Sequence, residues 1–283
     1  MSWLRNPWGR PRFLPVITGL YILWSIIPVA IAILFAFNDG RSRTTWQGFS
    51  TRWFTGDSGS VFSDPGLQSA LEHTLILAVI CVAISVPLGV ALALGLQRWR
   101  GRGSGTVNTL MLLPLVTPEI VMGVALLLLF LQIFGFIGLG TWAQAIGQVT
   151  FALSYVVVIV RGRLVSIGRD YEEAAADLGA PFRDRLFRVL LPLLAPAILA
   201  AAGVVFALSM DDFVITQYLA AGADTNTVSM LLYSTSRAAP TPALNALATI
   251  SLAITLLTLG LAYLVYRRFA GAGEAATVGT LEG

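Results

Sequence analysis

The chain has 283 residues, of which 56% are hydrophobic and 12% charged, with a formal net charge of +3 and a mean hydropathy of +0.78. A soluble domain carries about twice that charged fraction, and the apolar runs are longer than a core helix in water needs. Composition therefore excludes a soluble all-α protein and points to an all-α membrane protein that crosses the bilayer several times. All 18 basic residues are arginine, and a single cysteine and a single histidine exclude an internal disulfide and a histidine-cluster metal site.

In chain order, residues 1–13 form a polar segment with Arg5, Arg10 and Arg12. The first apolar run, 14–37, is too long for a signal peptide and lacks a small-residue cleavage site, so it is expected to stay as a span. Further spans are expected at 71–96, 107–133, 143–160, 193–215 and 243–266, each near the roughly 20 residues needed to cross. Cys81, inside the second, reads as a small buried hydrophobe. Prolines interrupt several spans, at Pro28, Pro87, Pro114, Pro118, Pro192 and Pro196. Residues 267–283, rich in glycine and alanine, are expected to form a disordered tail. The 14–266 stretch is thus one six-span domain.

The loops set the orientation. Arginines 5, 10, 12, 98, 100, 102, 161, 163, 169, 183, 185, 188, 267 and 268 fall on one side, against 41, 43, 52 and 237 on the other. The positive-inside rule puts both termini and the 161–192 loop in the cytoplasm.

That loop is polar in an otherwise apolar chain. Residues 170–178 read as a helix, with Asp170 able to cap it and Glu172 and Glu173 in the first turn, where carboxylates complement the helix dipole. Ala174, Ala175 and Ala176 are strong helix formers with little side chain, so another protein's groove can approach closely. Gly179 permits a sharp turn, and Pro181 suits the first turn of a second helix. That helix carries Arg183, Arg185 and Arg188, with apolar residues at 182, 186 and 189 on one face. A plain amphipathic connector would show the same pattern.

Charged residues inside spans are the other signal. Glu119, placed near the middle of the third span, costs roughly 2.5–3.5 kcal/mol on insertion scales, so it is expected to face a cavity or a partner. Asp211 and Asp212 lie near the outer end of the fifth span, about 100° apart around a helix. Three carboxylates on a path suit a cationic substrate. An intramembrane aspartyl protease is a remote alternative, because adjacent aspartates on one helix do not readily share a site. An ion-driven secondary transporter is disfavoured by the lack of an internal repeat.

The loop's spacing is more specific. Glu173-Ala174-Ala175, Gly179 and Val189-Leu190-Leu191-Pro192 resemble the EAA motif of inner-membrane permeases of binding-protein-dependent ABC importers, with Val189 in place of isoleucine. The stretches 209–216, 233–249, Phe37-Asn38 and Trp46 to Ser50 resemble the second permease of the spermidine/putrescine branch, which commonly has asparagine where His73 stands. Related branches carry ferric iron, thiamine, opines or phosphonates.

The resemblance implies the type I permease fold, with six transmembrane helices and a coupling-helix loop between spans four and five. It implies a non-catalytic transport subunit in a bacterial inner membrane, and a polyamine substrate. Expected partners are a homologous second permease, two ATPase subunits, an extracytoplasmic binding protein and membrane lipid, with no nucleic acid. The ATPase-docking residues would be Glu172, Glu173, Ala174, Ala175, Gly179, Pro181 and Arg183, and the substrate-path candidates Glu119, Asp211 and Asp212. ATP and magnesium would bind the partner ATPase, since a chain without lysine has no phosphate-binding loop of the Gly-rich, Lys-containing type.

Overall fold

A backbone in lipid has no water to bond with, so apolar runs close their hydrogen bonds as helices. The computed structural model describes residues 13–42, 45–99, 101–238 and 241–278. Within them the regular structure is helical, apart from one antiparallel bridge between Asn38 and Phe49. The basic segment before Phe13, Arg43, Arg100 and residues 279–283 lie outside the described residues. The chain divides into two units, one comprising residues up to Pro65 with 238–250, the other 66–237 with 251 onward.

In the first unit, α1 (Phe13–Ala36) is apolar on every side, and Ala36 is its one buried residue. A short loop follows it. The buried Asn38 side chain donates to the Ser42 and Thr45 carbonyls at 2.9 and 3.1 Å and accepts from the Gln47 amide at 2.8 Å. Trp53, in α2 (Arg52–Thr55), donates from Nε1 to the Asn38 carbonyl at 2.6 Å. Phe37 stacks on Phe49 with ring centres 5.5 Å apart. Arg52 donates to Asp57 at 2.5 Å, and this bond, helped by the Gly59 amide, holds the Asp57 carboxyl down to about 2.

The second unit is built on three long helices: α3 (Pro65–Arg98), α7 (Thr141–Ile167) and α10 (Leu191–Asp211). Cys81, Val86, Val90 and Ala93 of α3 pack with Val156, Val157 and Val160 of α7 and with Leu194, Ala201 and Val205 of α10. Since lipid is as apolar as leucine, close packing carries such contacts, and small residues permit it. A Cβ on Gly89 would lie 2.5 Å from Val156.

Between α3 and α7 the chain forms α4 (Ser104–Leu110), α5 (Leu113–Val116) and α6 (Glu119–Gln132). This corrects the expected continuous span at 107–133. The Ser104–Val116 portion and α6 meet at a bend of 110°. The residue before a proline avoids the helical region, and Thr117, before Pro118, is extended with ψ 129°. Five described helices are long and apolar enough to cross a membrane, or six if the bent pair counts as one span.

After α7, α8 (Asp170–Asp177) forms the expected loop helix. Its cap is Arg169 rather than Asp170, and no side chain bonds there. Gly179, with φ +79°, ends it. Its amide bonds to the Ala176 carbonyl at 2.9 Å and that of Ala180 to the Ala175 carbonyl at 3.0 Å, the paired closure that needs a left-handed residue. Pro181 caps α9 (Phe182–Asp184) from outside it. A π-helical stretch, Arg185–Leu190, then leads straight into α10. The expected second loop helix and the fifth span are therefore one helix. A widened turn just upstream gives room for the ring of Pro192, which an α-helix would press against the carbonyl four residues back.

The fifth span stops at Asp211, and α11 (Val214–Leu219) follows. Ile215 and Leu219 pack with Met122, Leu126 and Phe130 of α6 and Ala143 of α7. After a 3-10 turn at Ala223–Thr225 come α12 (Val228–Ala238) and α13 (Pro242–Val278). The last helix continues to Val278 through the first part of the stretch expected to be disordered; Glu274, Ala275 and Ala276 there are good helix formers.

Candidate functional site

Two polar features stand out in the second unit. The first is a cavity of about 140 Å³ lined by Cys81, Glu119, Gln148, Phe151, Ser209, Asp211, Asp212 and Phe213, among others. All three carboxylates singled out in the sequence line it. The broken helices put them there. Glu119 is the first residue of α6, at the bend rather than at mid-span as expected. Asp211 ends α10, and Asp212 occupies the gap before α11.

The two aspartates differ. Asp212 accepts from the Thr216 amide at 2.9 Å, from Gln148 Nε2 at 3.3 Å and, through its other oxygen, from the Ile215 amide at 3.4 Å. It thereby caps α11, satisfying donors that a helix start leaves open. Asp211 and Glu119 are exposed. Gln148 is held in turn by Ser209, which donates to its Oε1 at 2.6 Å.

The cavity thus presents two open carboxylates, a capped one, an amide and the rings of Phe151 and Phe213. That is a set of partners for a cation, with negative charge opposite it and aromatic faces beside it. It does not make a protease dyad, because both Asp212 oxygens already hold backbone donors. Among the described residues no group of three or more His, Cys, Asp or Glu side chains is arranged to hold a metal ion.

Sequence reading missed Gln148 and Phe151, and took Ser209 and Phe213 only as part of the 209–216 resemblance. Gln144 and Gln148, four apart in the apolar α7, were the available signal, since polar groups in such a helix need partners. Gln144 is buried, donating to the Thr216 and Thr225 carbonyls at 3.0 Å. Its Oε1 is therefore the acceptor for His73 Nε2 at 2.8 Å. His73 thus pins α3 to α7.

The second feature is the α8–α9 loop. Glu173, Ala174 and Gly179 are exposed, as are Pro181 and Arg183, and Ala175 is half-buried. Around them Tyr171, Leu178, Phe182 and Phe187 stand in the open, with Leu178 at 89% exposure. Glu172 instead turns inward and pairs with Arg98.

The described residues thus combine a broken apolar helix pair and a charged cavity with a polar loop that displays apolar side chains, features that suit a solute permease. The model for the inner membrane component of binding-protein-dependent transport systems matches residues 85–271, and the chain belongs to that family. It is 33% identical over 254 residues to the putrescine transport system permease protein PotI of Escherichia coli K12, covering 88% of this chain and 87% of PotI. It is 34% identical over 250 residues to the spermidine/putrescine transport system permease protein PotC of the same strain, covering 88% and 92%. The fold is shared with a bacterial ABC transporter that imports the acidic polysaccharide alginate, with a TM-score of 0.72 at 18% identity over 94% of this chain and 96% of that one. A related alginate transporter structure holds a pentasaccharide-bound periplasmic protein, with a TM-score of 0.72 at 17% identity over 94% of this chain and 95% of that one.

Proposed function

We propose that this chain is one of two permease subunits of an ATP-driven polyamine importer. It would form half of the path for putrescine or spermidine and couple to a separate ATPase through the 161–192 loop. The convergence of Glu119 and Asp211 on one cavity carries the substrate reading, supported by 33–34% identity to permeases named for putrescine and spermidine. Polyamines are flexible polycations, and spaced carboxylates offset the loss of hydration at each ammonium. Opines and phosphonates bring anionic groups that these carboxylates would repel, and ferric iron and thiamine lack the support of the named relatives.

In this reading two ATPase subunits, a second permease and an extracytoplasmic binding protein complete the machine. ATP and magnesium reside on the ATPase. With six spans, both termini and the loop would share one side, and the arginine excess assigns that side to the cytoplasm. Closure of the ATPase pair drives the loops of both permeases together and opens the path outward. Hydrolysis resets it.

The test is uptake of labelled putrescine and spermidine by cells lacking their own polyamine importers and carrying this chain with its partner subunits. Wild type should accumulate label. Glu173→Lys and Gly179→Asp should insert normally yet lose both uptake and co-purification of the ATPase. Uptake and ATPase recovery at wild-type levels in either variant would remove the docking role, and absence of polyamine uptake by the wild-type complex would remove the substrate.

A further inference from the structure

We infer that Arg98 is the positioning residue that ties the α8–α9 loop to α3, so that loop movement reaches the cavity wall. The inference rests on the docking role proposed for that loop. Arg98 closes the last turn of α3, where a cation also meets the negative end of the helix. Its guanidinium donates to Glu172 of α8 and lies over the ring of Phe182, 5.4 Å from its centre, at the start of α9. One side chain thereby holds both arms of the loop, on either side of the Gly179 turn. Arginine suits this double duty, because its planar group bonds a carboxylate at the edge while its face meets an aromatic ring. A cleft of about 160 Å³ beside the pair, lined by Gln97, Arg169 and Glu172 among others, leaves the loop room to shift.

The other end of the connection is Cys81, on the same helix and in the cavity wall. Seventeen residues separate it from Arg98, which is about 25 Å of helix. Pro87, between them, removes one ladder bond from the helix.

The experiment is a full complex in proteoliposomes, with ATP hydrolysis and polyamine uptake measured on the same samples. Arg98→Ala should keep the ATPase bound and hydrolysing while uptake per ATP falls about tenfold, within the usual range of coupling between sites. Arg98→Lys, which retains charge without the planar face, should fall between. The charge exchange Arg98→Glu with Glu172→Arg restores the pair with α8 but not the cation over Phe182, and should recover part of the loss. An unchanged uptake-to-hydrolysis ratio in Arg98→Ala, ATPase loss in step with uptake, or no recovery in the exchange would overturn the inference. Its failure is separable from that of the docking role, because Glu173→Lys reports on the latter by ATPase recovery alone.

Discussion

Asp211 and Asp212 stand side by side in the chain but have different tasks. The Asp212 carboxylate is committed to two amides of α11 and to Gln148, whereas Asp211 and Glu119 are open to the cavity. Glu119→Gln and Asp211→Asn should therefore lower polyamine uptake while the complex assembles and melts as wild type. Asp212→Ala should instead lower stability by about 0.5–2 kcal/mol, the usual loss for a helix cap. Thermal melts of the purified complex alongside uptake separate the cases, and unchanged uptake in both open-carboxylate variants would make these groups structural. The sequence singled out all three because charge in an apolar run is costly. It set the two aspartates on different faces, about 100° apart, but did not say which of them is committed, since capping depends on where α10 stops. His73 was likewise opaque, because its partner Gln144 lies 71 residues away.

At the scale of helices, hydropathy marked where apolar sequence lies but not its direction. The stretch 107–133 sums to one span in any composition window, yet Thr117 and Pro118 turn the chain through 110°. The Pro114 and Pro118 pair was legible only as an interruption within one span; α6 instead packs with α7 and α11, a placement that local sequence does not carry. Conversely, the loop helix and its Gly179 stop were readable, since local propensity and a left-handed glycine determine both. Close helix contact at glycines gives a sharp expectation. A Cβ on Gly147 would sit 2.6 Å from Leu219 and 2.7 Å from Ile215, while Gly162, on the same helix, has nothing within 4 Å. Gly147→Leu should destabilise the protein by about 1–3 kcal/mol through overpacking, and Gly162→Ala should be neutral or slightly stabilising. Equal melting temperatures for the two variants would mean that the α7–α11 contact is looser than described.

For the molecule as a whole, arginine asymmetry and the loop lead to one orientation. A cysteine at Ser58, exposed in the loop after α1, should react with an impermeant maleimide on intact cells. One at Asp177 should react only after permeabilisation. Native Cys81, at 1% exposure, adds little background, and the reverse labelling pattern would invert the topology. The path itself must release what it admits, and the placement of Glu119 bears on that. Glu119 is the first residue of α6, in the turn where the positive end of a helix is equivalent to about half an elementary charge. On the proposed polyamine path, an incoming ammonium would meet a partner whose field is already partly spent, and its dwell time there would be short. For a transit point, brevity serves throughput better than grip.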